Sequence, residues 1–168
     1  MSRSVLITAA VNVLAHEGLT RCSVQAVAAR AGCAKGLMNY HFRSKHELLA
    51  AVAARLAHDR AEGRLQALRT HGTRGLDALW EVLVDEIASG EARAWMALLV
   101  ERRIPRDLHL EARVADAAAA ALRLPPGSVP PDALVAGLDG LQLRLIQGCD
   151  PVTLRDTYDR LWLSLVPE

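Results

Sequence analysis

Hydrophobic residues recur every three or four positions along most of this chain, which is the spacing of an α-helix rather than of a strand. The first such stretch runs from about residue 3 to residue 16, and Gly18 is expected to end it. One face of this stretch carries Val5, Leu6, Ala9, Ala10, Val13 and Leu14. We find no convincing strand pattern, so the chain is predicted to be all-α.

Two short helices with a tight turn between them are predicted next. Ser23 can cap a helix that Gly32 closes, because glycine takes the left-handed conformation that ends a helix at little cost. A second helix of about two turns fits between Lys35 and Tyr40. Two helices joined by a short turn containing glycine predict a helix-turn-helix motif, whose second helix can lie in the major groove of DNA.

A long helix is predicted to follow, from Ser44 toward Leu68. Ser44 and Glu47 have the spacing of a capping box, in which a hydroxyl and a carboxylate bind the free N–H groups at a helix start. Glycine and proline breaks then divide the rest of the chain into five more helices. The breaks lie at residues 70–75, 89–90, 105 and 125–131 and at Asp150-Pro151.

The last two of these helices carry matching apolar stripes. The stripes consist of Leu134, Leu138, Leu141 and Leu145 in the first helix and Leu154, Tyr158, Leu161 and Trp162 in the second. Gly137 and Gly140 flank the first stripe and let another helix approach closely. Periodicity alone leaves two interpretations open: the stripes pack against the rest of the same chain, or they pair with a second copy of it.

Composition narrows the classes of function. A chain of 168 residues, 51% of them hydrophobic, is long enough for one sizeable core or two smaller ones. It has no apolar run long enough to span a membrane and no signal-peptide pattern, and its three cysteines form no spaced framework. We therefore expect a cytoplasmic protein that does not associate with membranes.

The net charge of +1 hides an uneven distribution. Residues 1–60 carry eight lysines and arginines against three acidic residues, which gives +5, whereas the remaining residues carry 12 against 16, which gives −4. Both lysines of the chain, Lys35 and Lys45, lie in the helix-turn-helix region. A basic surface at that end is typical of a face that binds phosphate groups.

One set of N-terminal residues has a specific spacing: Ala9-Ala10, Gly18, Cys22-Ser23-Val24, Val27-Ala28, Ala31-Gly32, Lys35-Gly36, Tyr40-His41-Phe42, Ser44-Lys45 and Glu47-Leu48-Leu49. Over roughly residues 3–52 this set resembles the N-terminal domain of the TetR family of bacterial transcriptional regulators. The resemblance implies a three-helix DNA-binding domain followed by a helical ligand-binding and dimerisation domain. It also implies that the last two helices of two subunits form a four-helix bundle. Ala34, Leu37 and Asn39 depart from the family's usual residues, so the operator sequence does not follow from the resemblance.

Seven residues are candidates for DNA contact: Gln25, Lys35, Gly36, Asn39, Tyr40, His41 and Lys45. The amides of Gln25 and Asn39 can pair with an adenine edge, and Lys35 can reach a guanine edge or a phosphate. The resemblance implies that Tyr40 and His41 donate to phosphates. Lys45 stands beside the free N–H groups of a helix start, which together form an anion site. For the polar residues the alternative is an ordinary solvated or locally bonded side chain.

A small-molecule site is less clearly marked. Trp80, Trp95, Met96, Leu99 and His109 can line a mainly apolar pocket, although an ordinary core contains the same kinds of residue. The histidines lack the spacing of a zinc site, and no nucleophile motif, phosphate-binding loop or paired carboxylates indicate an enzyme. We therefore expect no metal, no cofactor and no catalytic residue.

These features predict a helix-turn-helix DNA-binding domain at residues 1–45 and a helical regulatory and dimerisation domain at residues 46–168. The predicted function is a homodimeric transcriptional repressor that a small-molecule effector releases from double-stranded operator DNA. The alternative is an all-helical ligand- or partner-binding protein that keeps the fold without specific DNA recognition. The retained residues Lys35, Tyr40, His41 and Lys45 favour the regulator.

Overall fold

The structure of the protein is a computed structural model that describes residues 1–69, 72–101, 103 and 107–164. Within these ranges it contains nine α-helices and no strand, which confirms the all-α prediction. The predicted break at residue 105 lies outside them. The helices are α1 (Arg3–Arg21), α2 (Val24–Ala31), α3 (Lys35–His41), α4 (Lys45–Leu68), α5 (Thr73–Ala88), α6 (Glu91–Val100), α7 (Leu108–Ala121), α8 (Pro131–Ile146) and α9 (Pro151–Leu163).

The predicted caps set the helix boundaries of the N-terminal segment. Gly18 has a φ of 76° and kinks α1 before its last residues. The Ser23 hydroxyl accepts a hydrogen bond from the Ala26 N–H at 3.1 Å, and Gly32 ends α2 with a φ of 66°. These observations confirm the predicted caps. The caps could be predicted from the sequence because each depends only on residues a few positions apart.

The start of α4 is also confirmed, with one change in its capping box. The Ser44 hydroxyl accepts a hydrogen bond from the Glu47 N–H at 3.1 Å. The Glu47 carboxylate in turn accepts from the backbone N–H of Arg43 at 2.9 Å, one residue before the cap. Both bonds bind donors that have no partner within the helix, so the helix start is fixed on both sides.

The chain folds into two compact units. Unit 1 consists of Met1–His58 and Ala88–Pro105, and unit 2 consists of Asp59–Ile87 and Arg106–Glu168. The core of unit 1 forms between α1, α2, α3, the first part of α4, and α6. Its fully buried side chains include Leu6, Val13, Met38, Phe42, Leu48, Leu56 and Leu98.

Helix α6 packs against α1 within unit 1, and Gly90 permits the contact. Gly90 precedes α6 with a φ of 84°, and a Cβ added to it would lie 2.8 Å from the Cβ of Ala15. Real Cβ atoms do not approach so closely, so a side chain at this position would push the two helices apart. The absence of a side chain at residue 90 is therefore a condition of this packing.

The core of unit 2 takes up most of both apolar stripes. Leu134, Leu138, Leu141, Leu154, Tyr158 and Trp162 are buried in it, and Leu145 and Leu161 pack against it half-buried. The Tyr158 hydroxyl donates to the carbonyl of Leu76 at 2.6 Å, which ties α9 to α5. Burial raises the pKa of Tyr158 far above its usual range, so its hydroxyl stays a neutral donor. The stripes thus pack against their own chain.

The proline-rich connection between α7 and α8 is held at both ends. Arg123 takes a φ of 60°, and the Leu124 N–H donates back to the carbonyl of Ala119 at 2.8 Å, which closes the end of α7. The carboxylate of Asp116 accepts from the Gly127 N–H at 2.9 Å. The predicted loop of residues 125–131 is one residue too long, because Pro131 is the first residue of α8. A missing N–H has no cost at that position.

Candidate nucleic-acid interface

Helix α3 has one anchored face and one open face. Met38 is fully buried, as is Phe42 directly after the helix. On the other side Lys35, Gly36 and Asn39 are exposed, and Tyr40 is 83% exposed. An aromatic side chain with a polar tip is rarely so exposed unless it contacts a partner.

Gly36 has no structural explanation within its own chain. No described atom lies within 4 Å of the position that a Cβ would occupy, and no left-handed φ requires glycine there. Glycine in a helix costs roughly 0.5–1 kcal/mol relative to alanine. The open face of α3 therefore includes a position where the backbone itself is accessible to a partner.

Three further candidates surround this face. Gln25 is exposed at the beginning of α2, and His41 is half-buried with its ring edge-on to Tyr40, at 5.1 Å between centroids. The Lys45 ammonium donates to the carbonyl of Leu19 at 3.0 Å. This bond uses one of its three donors and holds the ammonium at the end of α1, so Lys45 is more than a solvated charge.

Unit 1, which contains the helix-turn-helix, is basic, whereas unit 2 is acidic. Unit 1 carries ten lysines and arginines against four acidic residues, giving +6, and unit 2 carries ten against fifteen, giving −5; the sum is +1.

Cys22 is the fully buried cysteine of this basic unit. Its burial raises the pKa of the thiol, and the nearby charge of Lys45 acts in the opposite direction. It remains a neutral apolar group in the core.

The five predicted ligand residues do not share one unit. Trp95, Met96 and Leu99 lie on α6 in unit 1, with Leu99 40% exposed. Trp80 and His109 lie in unit 2, where His109 is exposed and Trp80 is buried against the ring of Tyr158 at 5.2 Å between centroids. That they line a common pocket stays a prediction.

The outward side of the α8–α9 hairpin forms an open groove of about 710 Å³. It is lined by Ala136, Gly137, Gly140, Leu141, Arg144, Cys149, Asp150, Thr153, Leu154, Thr157 and Leu161. A Cβ at residue 137 would lie 3.0 Å from Leu161, so the packing of α8 on α9 explains why residue 137 is a glycine. Gly140 has no described neighbour within 4 Å of such a Cβ, so the packing of this chain does not explain the second glycine.

Sequence reasoning missed a buried ionic cluster in unit 2. Arg60, Arg64 and Glu86 are 3%, 7% and 5% exposed, and Gln142 is fully buried. A signal was present, because Arg60 and Arg64 continue the same three- and four-residue spacing as Leu56, on the buried side of α4. Charged residues in the register of an apolar stripe indicate buried charge.

The described residues form neither a metal site nor a membrane-spanning helix. No group of three or more histidine, cysteine, aspartate or glutamate side chains is placed to hold a metal ion. No described helix combines the length and apolarity that crossing a membrane requires.

A basic, anchored helix-turn-helix with an outward-facing second helix defines the chain as a protein of the helix-turn-helix class. Residues 6–52 match the family "Bacterial regulatory proteins, tetR family". The fold extends this match, since a TetR family transcription regulator from Marinobacter aquaeolei VT8 superposes with a TM-score of 0.68 at 18% identity, over 95% of this chain and 93% of that one. The N-terminal domain of the chain is therefore similar to that of the TetR family, and the whole chain is similar in fold to a TetR family regulator.

Three relatives of higher identity show the same similarity. A TetR family member from Streptomyces coelicolor A3 has 26% identity and a TM-score of 0.64 over 99% of this chain and 98% of its own. The multidrug binding protein EbrR, complexed with imidazole, has 25% identity and a TM-score of 0.63 over 99% and 95%. An uncharacterized HTH-type transcriptional regulator, YvdT of Bacillus subtilis (strain 168), is 32% identical over 84 residues. That match covers 48% of this chain and 41% of YvdT.

Proposed function

We propose that the protein is a DNA-binding transcriptional repressor that acts as a homodimer and is released from its operator by a small molecule. The exposed face of α3 is the observation that carries the proposal. Its polar side chains project from a helix whose opposite side is pinned by Met38 and Phe42, both fully buried. A helix held this way presents its donors in a fixed orientation, as base reading in the major groove requires.

The candidate residues divide into two roles. Lys35, Asn39 and Gln25 carry donors and acceptors that match base edges, and these are assigned to sequence reading. Tyr40, His41 and Lys45 are assigned to phosphates, which fix the register of a protein on DNA without reading sequence. In this proposal residues 1–45 bind DNA and residues 46–168 regulate and dimerise.

DNA binding is tested by titrating the protein with its own upstream DNA and with unrelated DNA of equal length, at several salt concentrations. We expect tighter binding to the upstream fragment and a steep loss of affinity with salt for both. Equal affinity for the two fragments would contradict an operator. No binding to either would favour the alternative, a helical binding protein without DNA recognition.

The dimer is assigned to the outward side of the α8–α9 hairpin. Most stripe residues are buried in their own core, so a second copy must meet the groove lined by small residues, where Gly140 leaves space unfilled. A symmetric pair of such grooves would contact each other through the same residues on both copies. This arrangement retains the proposed pairing of the last two helices while changing the face through which they pair.

Gly140→Arg tests this interface without disturbing the core, because no described atom lies within 4 Å of the new Cβ. We expect this variant to be folded and monomeric by light scattering at micromolar concentration, while the exposed α7 substitution Ala120→Arg leaves the dimer intact. Leu141→Glu is unsuitable, since Leu141 is 6% exposed and the carboxylate would enter the core. A dimeric Gly140→Arg protein would contradict the assignment.

The effector proposal is supported by EbrR, which has been solved as a multidrug binding protein with imidazole and with ethidium. A dimer that reads successive major grooves must hold its recognition helices about 34 Å apart, so a ligand that favours another spacing lowers DNA affinity. Linkage requires DNA to weaken ligand binding by the same factor. A ligand found by thermal shift should therefore have a larger Kd in the presence of operator DNA, and equal Kd values would rule out induction by that ligand.

A further inference from the structure

The buried ionic cluster of unit 2 is organised around Arg60. Its guanidinium donates to Glu86 at 2.7 Å, to Asp139 at 3.1 Å and to the side-chain oxygen of Gln142 at 2.7 Å. These bonds connect α4, α5 and α8. Arg60 is 3% exposed, and its bonds explain how its charge is accommodated.

Arg64 lies one helical turn further along α4 and has no comparable set of bonds. Its Nη2 nitrogen is 3.9 Å from the Glu86 oxygen and 3.8 Å from the Asp139 oxygen, and Arg60 already binds both of these oxygens. These distances are ion-pair distances and too long for hydrogen bonds. Among the described residues, Nε and Nη2 of Arg64 have no hydrogen-bond acceptor, although the residue is only 7% exposed.

The positions of the two Arg64 nitrogens indicate which kind of acceptor group could bind them. The N–H groups of Nε and Nη2 point in the same direction on one edge of a guanidinium, and this edge can bind both oxygens of a carboxylate at once. The formal charges of Arg60, Arg64, Glu86 and Asp139 sum to zero, so Arg64 has counter-charge and lacks hydrogen bonds; Oε1 of Glu86 also lacks a hydrogen-bond donor among the described residues, but it is not placed to bind this edge. Buried donors without acceptors destabilise a fold, which makes this edge an unexplained feature of the core.

We infer that Arg64 is a recognition residue for the effector and that the effector carries a carboxylate. This inference rests on the proposed function, because it names the ligand class of the proposed effector site. Leu79, Leu83 and Leu138 are fully buried in the core of the same unit, so a ligand that reaches Arg64 must enter a mainly apolar region. A monocarboxylate with an apolar body suits such a region, since it brings two acceptor oxygens and only one charge to be desolvated.

The same geometry predicts which neighbours oppose binding. A ligand carboxylate adds one negative charge to a neutral cluster, so Glu86 and Asp139 repel it while Arg64 binds it. Asp139→Asn removes one repelling charge and keeps an oxygen that can accept from Arg60. This substitution is therefore expected to tighten carboxylate binding, an effect that a purely structural role for Arg64 does not predict.

The test measures the melting temperature of the full chain with benzoate and octanoate, each compared with its amide. An amide replaces one acceptor oxygen by a donor and cannot satisfy both N–H groups. We expect at least one carboxylate to raise the melting temperature and neither amide to do so. At a ligand concentration of about 100 times Kd the ratio of folded to unfolded protein should rise about 100-fold.

Three variants assign the effect to Arg64. Arg64→Met should remove the carboxylate shift, measured against its own ligand-free melting temperature, which should fall because Glu86 and Asp139 then keep one excess buried charge. Arg64→Lys, which keeps the charge but loses the two-donor edge, should reduce the shift. Arg113→Met is the matched control, because Arg113 is an exposed arginine of the same unit that pairs with Glu62 at 3.6 Å. It should leave the shift unchanged.

The inference is wrong if neither carboxylate stabilises the protein, if the amides act equally, or if Arg64→Met and Arg64→Lys both retain the full shift. Unchanged or weaker benzoate and octanoate binding in Asp139→Asn would also contradict it. None of these measurements uses DNA, so their outcome does not depend on whether the protein binds an operator. A protein that binds carboxylates through Arg64 but ignores DNA would support this site while rejecting the proposed repressor.

Discussion

Replacing Gly36 by alanine should stabilise the protein and weaken its binding to DNA. The added Cβ meets no described atom within 4 Å, and no left-handed φ requires glycine at this position. The substitution therefore introduces no clash and reduces the backbone freedom of the unfolded chain. The expected gain is about 0.5–1 kcal/mol, toward the lower end because Gly36 is the second residue of α3.

The same methyl group should weaken DNA binding, although it stabilises the fold. Gly36 lies between Lys35 and the exposed Asn39 on the open face of α3, where the backbone can come close to the duplex. A Cβ there would force the helix away and lengthen the hydrogen bonds of its neighbours. A loss of about 1.4 kcal/mol corresponds to a tenfold weaker Kd, which is the scale we expect for specific binding.

Gly32→Ala is the matched control, four residues away in the same motif. It also meets no described atom within 4 Å, but Gly32 has a φ of 66°, where an L-residue costs about 1–2 kcal/mol. We therefore expect Gly32→Ala to lower stability and Gly36→Ala to raise it. Urea unfolding followed by circular dichroism gives the free energies, and fluorescence anisotropy with labelled upstream DNA gives Kd. A destabilised Gly36→Ala protein, or one with unchanged Kd, would refute the reasoning.

Three further predictions concern single side chains. Lys45→Ala should weaken specific and nonspecific DNA binding alike and reduce the salt slope by about one, and an unchanged slope would show that Lys45 does not contact phosphate. Arg123→Gly should raise the free energy of unfolding in urea by up to about 1 kcal/mol, because it relieves a φ of 60°; a decrease would show that the Arg123 side chain itself is needed. Hydrogen bonds from Thr153 lower the pKa of Asp150. The stability that Asp150 adds is therefore present above the unfolded pKa and lost as pH falls through the folded pKa. Asp150→Ala should flatten that acid dependence, and identical acid unfolding curves would contradict the cap.

The sequence predicted those parts of the fold that depend on neighbouring residues. Ser23, Gly32 and Ser44 act within one helical turn of themselves, so their roles can be read without knowing the tertiary structure. The exposed positions of α3 follow from the same local pattern, because burying Met38 directs Asn39 and Tyr40 outward. Both the helix-turn-helix and its open face were therefore accessible from the residues alone.

Long-range packing was not accessible in the same way. The periodicity of α8 and α9 indicates that Leu138 and Tyr158 are buried, but a stripe carries no information about which surface buries it. The contact of α6 with α1 depends on the space at Gly90, which exists only once the two helices meet. The bonds of Arg60 join residues as many as 82 positions apart, and the sequence marks only that a charge falls in an apolar register.

The return of α6 to α1 means that unit 1, which contains the helix-turn-helix, is interrupted in the chain. Residues 59–87 belong to unit 2 and are synthesised before α6, which completes unit 1. During translation the N-terminal helices are therefore made before α6. The surface that receives Ala94 and Leu98 stays exposed until a segment of unit 2 has been synthesised. A fragment that stops at residue 58 would keep that surface uncovered permanently, so aggregation during synthesis and poor yield of a shortened DNA-binding fragment have the same physical origin.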